Sequence, residues 1–332
     1  MRLIQANVSE CFLYITLSHR WSESGPLLRD IEGRVIYDMP VRGVQAFCAV
    51  ARELDYLWAW SDTCCIDKHS SAELQETIAS MFAWYRHSAL TIVYLSDIPD
   101  TGSLGNSEWF RRGWTLQELL APQTVLFYTQ NWSLYEDLTP SNHTADIAVL
   151  EELERVTGIE TRFLTNFSPG WDDARSRLQW AALRHTTRPE DIAYSLFGIF
   201  NLHLPVLYGE PAENALGHLL SEIISQSGDI SVLDWVGEAS SFHSCLPAHI
   251  TSYERLPSSQ PQRHTEEQPS TTSQALSLFD ILCDLAASLL LQFLSRFLTS
   301  PSTAPADRLR TLDSYAPSDV YDFHSLNRVP LP

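Results

Sequence analysis

Polar and aromatic residues that could bind a ligand stand after two short apolar runs and within one later predicted helix. The candidate set is Ser18, His19, Arg20, Trp21, Asp62, Asp67, Trp114 and Glu118. Trp114 and Glu118 are four residues apart, so they share one face of a helix. A carboxylate such as Glu118 could hold ribose hydroxyls and stabilise a developing oxocarbenium ion during glycosidic cleavage. The alternative is a surface carboxylate paired with Arg111 or Arg112, which is the ordinary position of a charged side chain.

The sequence gives little support to a serine hydrolase or a phosphate-binding loop. Ser18 and His19 are neighbours, and successive residues of a strand point to opposite faces. They would therefore make a poor nucleophile and base. Neither a G-x-S-x-G nucleophile elbow nor a G-x-x-x-x-G-K-S/T motif occurs in the chain.

The six cysteines predict neither a metal site nor a disulfide framework, because none stands in a C-x-x-C pair. Cys64 and Cys65 lie close to Asp67 and His69, but four ligands this crowded in sequence suit no usual metal geometry. We interpret most of the cysteines as small buried hydrophobic residues in a reducing compartment.

The elements that would position the candidate set alternate between strand and helix. Strands are predicted at residues 12–17, 57–60, 90–95 and 125–128. Helices are predicted at residues 41–54, after an S-x-x-E capping box formed by Ser70 and Glu73, and at residues 109–120. This order predicts a parallel sheet with helices on both faces. In such α/β sheets, ligands bind beyond the carboxyl ends of the strands.

The chain after this unit is predicted to be mainly helical. We divide it into residues 1–137, the α/β domain, and residues 138–250, a helical region with helices at 147–156, 178–184 and 218–225. A second capping box, Thr187 and Glu190 around Pro189, predicts one further helix. The nearby charged residues are interpreted as a cluster at that helix start: Arg184, Arg188, Glu190 and Asp191.

The C-terminal part is predicted to lack a globular fold of its own. Residues 251–275 are rich in Ser, Pro and Gln and predict a flexible linker, and residues 300–332 predict a disordered tail. Between them, residues 276–299 are apolar but contain Asp280 and Asp284. Those aspartates favour an amphipathic helix that lies on a partner or on the surface over a membrane-spanning helix.

Composition excludes several classes of function. Hydrophobic residues make up 44% of the 332 residues, enough for a sizeable core. The formal net charge of −19 repels phosphate backbones and anionic membrane surfaces, so we expect no nucleic-acid partner. The first ten residues lack the apolar segment of a secretion signal, which predicts a cytoplasmic protein without a membrane span.

Three segments in order resemble the fungal heterokaryon incompatibility (HET) domain. They are YITLSHRW at 14–21, WSDTCCIDK at 60–68 and WFRRGWTLQELLAP at 109–122. Residues 186–198 and 207–210 resemble the segment that commonly follows that domain, so the resemblance covers roughly residues 1–240. It implies a role in fungal non-self recognition, in which the domain triggers programmed cell death through self-association or protein partners.

The HET fold is similar to the Toll/interleukin-1 receptor (TIR) domain, which implies a TIR-like, flavodoxin-like sheet here. Residues 114–119, WTLQEL, resemble the W-x-x-x-E-L stretch of the third TIR helix. In the TIR domains that cleave NAD, that glutamate is catalytic. The resemblance therefore makes Glu118 the candidate catalytic residue and NAD a candidate substrate, with no cofactor required. The rest of the candidate set would then bind the ligand.

Two departures from the family pattern leave a third alternative open, an inactive copy of the domain. The first helix is compact compared with that of many members, and Pro211 stands where the family often has Gly. The three alternatives that remain are a death-inducing signalling module, an NAD glycohydrolase and a degenerate copy.

Overall fold

The structure, a computed structural model, describes residues 13–20, 42–67, 70–137 and 142–257. Trp21 of the candidate set lies outside the described residues. So do most of the predicted linker at 251–275, the predicted helix at 276–299 and the predicted tail at 300–332.

A four-stranded, fully parallel sheet lies at the centre of the first part of the chain. Its strands are β1 (Tyr14–His19), β2 (Trp58–Ser61), β3 (Leu90–Tyr94) and β4 (Val125–Tyr128). They are arranged in the order β2-β1-β3-β4, and each neighbouring pair is parallel. The predicted α/β class with a parallel sheet is therefore confirmed, while its likeness to TIR domains stays a prediction.

The central strand ends two residues later than the sequence predicts. β1 runs to His19 rather than to residue 17, and Ser18 and His19 pair with Val93 and Tyr94 of β3. Because Ser18 and His19 continue the pairing of β1 with β3 beyond the last residue paired with β2, these two polar residues belong to the strand itself. Ser18 and His19 therefore lie at the carboxyl-terminal end of the sheet, where ligands bind in α/β folds.

Helices cover both faces of this sheet. They are α1 (Arg42–Glu53), α2 (Asp62–Cys65), α3 (Ser71–Arg86) and α4 (Thr115–Leu120). The apolar side of α1, including Phe47 and Ala51, packs with Ile15 and Leu17 of β1. On the other face, residues of α3 such as Tyr85 pack with β2 and β1. Burial on both faces explains why the strands read as nearly continuous apolar runs.

The single helix predicted at residues 109–120 is wrong in one respect, because the chain forms two shorter pieces there. A 3₁₀ turn at Glu108–Arg111 is followed by α4, with Arg112 to Trp114 between them. The break has a long-range cause. The amide of Gly113 donates to the His185 carbonyl at 2.9 Å, and the amide of His185 donates to the Arg111 carbonyl at 2.7 Å. These bonds to a distant segment take the place of helical hydrogen bonds.

Of the two predicted capping boxes, the first is partly formed and the second is wrong. The Ser70 hydroxyl accepts from the Glu73 amide at 3.3 Å, but the Glu73 carboxylate accepts from the amide of Asp67 instead of Ser70. Residues 62–65, for which the sequence pattern predicts no helix, form the short helix α2. At the second predicted box, the Glu190 carboxylate accepts from the Gly209 amide, and no side chain caps the helix.

The second part of the chain is helical, as predicted. Its helices are α5 (Ile147–Thr157), α6 (Thr161–Thr165), α7 (Ala174–Ala181), α8 (Asp191–Tyr194), α9 (Phe197–Phe200) and α10 (Ala212–Ser227). The helix predicted at 178–184 begins and ends earlier than expected, as α7. Further 3₁₀ turns are found at Leu104–Asn106, Tyr135–Asp137, His143–Ala145, Ile230–Leu233 and Ile250–Tyr253.

One hydrophobic core joins the helical region to the sheet. It includes Val93 of β3 and Phe127 of β4 together with Leu153, Leu178 and Leu219 from the helices. The predicted boundary between residues 137 and 138 stays a prediction, but the two regions pack against each other without a gap between their cores. No helix in the described part of the chain is both long enough and apolar enough to cross a membrane.

Candidate functional site

The Glu118 carboxylate is buried between α4 and the central strand. Only 6% of the residue is exposed. The Ser18 hydroxyl donates a hydrogen bond to Glu118 Oε2 at 2.5 Å, and the Trp109 indole Nε1 donates to the Ser18 hydroxyl at 2.8 Å. The surface ion pair considered from the sequence is therefore wrong for this residue, and Arg111 instead pairs with Glu108 at 3.7 Å.

Burial has a large effect on the ionisation of Glu118. Removing the carboxylate from water raises its pKa from 4.5 to about 8, and the nearby charge of Asp62 acts in the same direction. The hydrogen bond from Ser18 and the charges of Arg112 and Arg184 favour the ionised form, but they only partly offset the burial. Glu118 is thus poised to exchange a proton near neutral pH, as expected of groups that act in acid–base or electrostatic catalysis.

Arg184 brings a buried positive charge from the helical region to this carboxylate. Its guanidinium donates to the Arg112 carbonyl at 2.9 Å, to the Thr115 hydroxyl at 3.0 Å and to the Trp180 carbonyl at 3.1 Å. Burial lowers the pKa of Arg184 to about 10, while the Glu118 charge opposes that change. Because two of its three acceptors flank the start of α4, Arg184 also fixes the backbone that carries Glu118.

A cavity of about 210 Å³ opens beside Glu118, between the carboxyl ends of the strands and the helical region. Its apolar wall is formed by Ile66, Leu74, Ile78 and Met81. Its polar and aromatic wall is formed by His19, Asp62, Arg112, Trp114, Glu118, Thr187, Arg188, Asp191 and Tyr208. An apolar lining with a few convergent polar groups and a carboxyl of perturbed pKa is typical of a ligand-binding site.

The structure brings together part of the candidate set. His19, Asp62, Trp114 and Glu118 line the cavity, and Ser18 lies behind Glu118 as its hydrogen-bond donor. Two other members of the set do not line it. Arg20 is exposed, and Asp67 lies at the end of α2, where its amide donates to Glu73. The ligand-binding roles assigned to the set stay predictions.

The sequence pattern does not reveal the cavity wall that the helical region contributes. Arg188 and Asp191, interpreted as charges at a helix start, line the cavity together with Thr187 and Tyr208. The Arg188 guanidinium lies 4.0 Å from the centre of the Tyr208 ring, in a cation–π contact. A usable signal was present in the sequence, because these charges directly precede the apolar residues of α8 in a segment that the family resemblance also marks.

Metal chemistry gains no support from the described residues, since they contain no group of three or more His, Cys, Asp or Glu side chains that could hold an ion. Cys64 and Cys65 contact each other, and the hydrogen bond between their thiols raises the pKa of Cys64 and lowers that of Cys65. Carboxylates, cations and aromatic rings are prominent among the side chains that line the cavity beside Glu118.

Comparisons with known proteins find one family and one curated protein that this chain resembles. Residues 14–105 match the family model described as “Heterokaryon incompatibility protein (HET)”. In an alignment 248 residues long that covers 67% of the chain, the sequence is 38% identical to Vegetative incompatibility protein HET-E-1 of Podospora anserina. The aligned stretch is 17% of that protein, so the chain spans a small part of its length. No solved structure matches the chain significantly.

Replacing Glu118 by Gln should change how stability depends on pH. The pKa of Glu118 is raised from 4.5 to about 8 in the folded protein. Between these two pH values the folded protein therefore holds a proton that the unfolded chain releases. The free energy of unfolding contributed by Glu118 is therefore full below about pH 4.5 and falls as pH rises through about 8. Glu118→Gln should flatten this decline when urea unfolding is measured from about pH 5 to about pH 9.

The matched control is Glu108→Gln, which alters an exposed carboxylate of the neighbouring 3₁₀ turn. It should shift the free energy of unfolding by no more than about 0.5 kcal/mol and keep the wild-type dependence on pH. Parallel stability curves for wild type and Glu118→Gln across this range would show that the carboxyl does not titrate as described.

Proposed function

We propose that this chain, which carries a heterokaryon incompatibility (HET) domain, acts in vegetative incompatibility as a non-self recognition module that triggers cell death. The match of residues 14–105 to the family and the 38% identity to a vegetative incompatibility protein support this function. Protein partners, or self-association through the HET domain, would transmit the signal. Because the chain spans only 17% of that relative, its trigger and partners belong to the proposal.

A second function is favoured by one observation, the buried Glu118 carboxyl whose pKa is raised to about 8 at the wall of a cavity. We propose that this site cleaves NAD. In that reaction the bond between nicotinamide and ribose C1′ breaks, water adds to C1′, and the products are nicotinamide, ADP-ribose and a proton. Once Glu118 has released the proton that it holds below about pH 8, its carboxylate would hold the ribose and stabilise positive charge as it develops on the sugar.

The size and lining of the cavity support a particular placement of NAD. At about 210 Å³ the cavity is smaller than the roughly 300–1,000 Å³ of pockets that enclose drug-sized ligands. It would enclose the nicotinamide ribose and leave the adenosine outside. Trp114 and the apolar wall would contact the nicotinamide ring, while Arg112 and Arg188 offer positive charge to phosphate groups.

The two functions share the cell-death outcome, so expression in a fungal host tests the first of them. Induced expression of the wild-type chain should lower colony viability, as should Glu108→Gln at the same protein level. Glu118→Gln should abolish the loss of viability if death proceeds through the cavity. Full killing by the folded Glu118→Gln variant would limit the protein to signalling by contact, and no effect of wild type would indicate an inactive copy.

Nicotinamide release from NAD by the purified chain tests the second function directly. Wild type and Glu108→Gln should release nicotinamide at equal rates, and Glu118→Gln should be slower by roughly 10²–10³-fold, as when one electrostatic stabiliser of a transition state is removed. The assay is run at dilute and at concentrated protein and followed by chromatography. Absence of nicotinamide from wild type under both conditions, or equal rates for both variants, would contradict the glycohydrolase proposal.

A further inference from the structure

Asp191, the first residue of α8, places a second buried carboxylate in the wall of the Glu118 cavity. The residue is 8% exposed and lines that cavity. Its Oδ2 accepts a hydrogen bond from the Trp114 indole Nε1 at 3.3 Å. Its other oxygen, Oδ1, is buried and makes no hydrogen bond of acceptable geometry within the described part of the chain. Only Oδ2 therefore has a well-oriented donor, although the Tyr208 hydroxyl lies close enough to favour the ionised carboxylate.

A role at a helix start does not explain the position of Asp191. Helix α8 has only four residues, and no side chain caps it, so its dipole is weak. Burial raises the pKa of Asp191. Hydrogen bonds from Trp114 and Tyr208 and the charge of Arg188 lower this pKa, but they offset the effect of burial only in part. Buried acceptors in native proteins nearly always have a hydrogen-bond partner. A ligand in the cavity that donates to Asp191 would add a well-oriented donor to a carboxylate that has only one.

Two neighbours of Asp191 narrow the chemistry of such a ligand. Arg188 stacks on the Tyr208 ring and lines the cavity, where it offers positive charge to a phosphate group. Trp114, held by Asp191, offers an aromatic face to a planar ring. A carboxylate that accepts hydrogen bonds from ribose hydroxyls is a recurring feature of nucleotide sites in α/β folds.

We propose that Asp191 is a ligand-binding residue that accepts hydrogen bonds from the ribose hydroxyls of a nucleotide held between it and Glu118. This assignment rests on the second proposed function, in which the cavity binds NAD. It also gives the helical region a defined task, because Asp191, Arg188 and Tyr208 all come from the segment after α7. The α/β unit alone would supply Glu118 but only half of the wall that holds the ribose.

Calorimetric titration with NAD tests the proposal, with Glu118→Gln as the background that suppresses turnover. Adding Asp191→Asn should weaken NAD binding roughly ten- to hundredfold, as when a hydrogen bond to a charged group is lost. Asparagine keeps an oxygen for the Trp114 indole, so the fold is retained. The matched control, Asp172→Asn, changes an exposed carboxylate away from the cavity and should leave the affinity unchanged.

An NAD analogue without the 2′ and 3′ hydroxyls of the nicotinamide ribose separates recognition from a general structural effect. In the Glu118→Gln background, adding Asp191→Asn should not weaken binding of this analogue. The Glu118→Gln protein without the second change should bind the analogue at least about tenfold more weakly than NAD. The second comparison needs no Asp191 variant, so it tests recognition of the ribose hydroxyls even if Asp191→Asn unfolds.

The outcomes distinguish the two proposals. If the Glu118→Gln background binds NAD and its analogue equally, or if Asp191→Asn matches Asp172→Asn, the role of Asp191 is overturned while NAD binding stands. If wild type neither binds nor cleaves NAD, the glycohydrolase proposal fails and the role of Asp191 fails with it.

Discussion

The structure depends on one constraint: the Glu118 carboxyl group is buried at the carboxyl-terminal end of the sheet. A buried carboxylate is unfavourable unless hydrogen bonds or charges support it. Glu118 is supported from two sides, by the Ser18 hydroxyl in β1 and by the guanidinium of Arg184 from the helical region. That support is incomplete, since the pKa of Glu118 still rises to about 8. A carboxyl group whose pKa is raised by burial and which lines a cavity is a candidate functional group.

The helical region can be understood from the same constraint. Arg184 binds the backbone at the start of α4, and His185 exchanges hydrogen bonds with Arg111 and Gly113. These contacts set where α4 begins and therefore where Glu118 points. The segment that follows supplies Asp191 to the wall of the cavity. The α/β unit and the helical region thus build one site, in keeping with the single hydrophobic core that joins them.

Features that depend on local interactions could be predicted from the sequence, whereas features that depend on distant residues could not. The strands were predictable because a parallel sheet buried on both faces needs apolar runs, and Glu118 was identified by its spacing from Trp114 and by the order of three motifs. Its burial was not predictable, since an isolated glutamate is ordinarily exposed. The break before α4 and the place of Asp191 depend on contacts more than 70 residues apart, such as that between Trp114 and Asp191. No local pattern contains them.

The most direct measurement of the central claim is an NMR titration of the folded chain labelled with ¹³C at the glutamate carboxyls, with Glu118→Gln used for assignment. The structure predicts one glutamate signal, absent from the variant, that titrates near pH 8. A Glu118 signal that titrates near the ordinary value of 4.5 would contradict it, because the carboxyl would then be solvated and the cavity would lack the group on which its proposed chemistry rests.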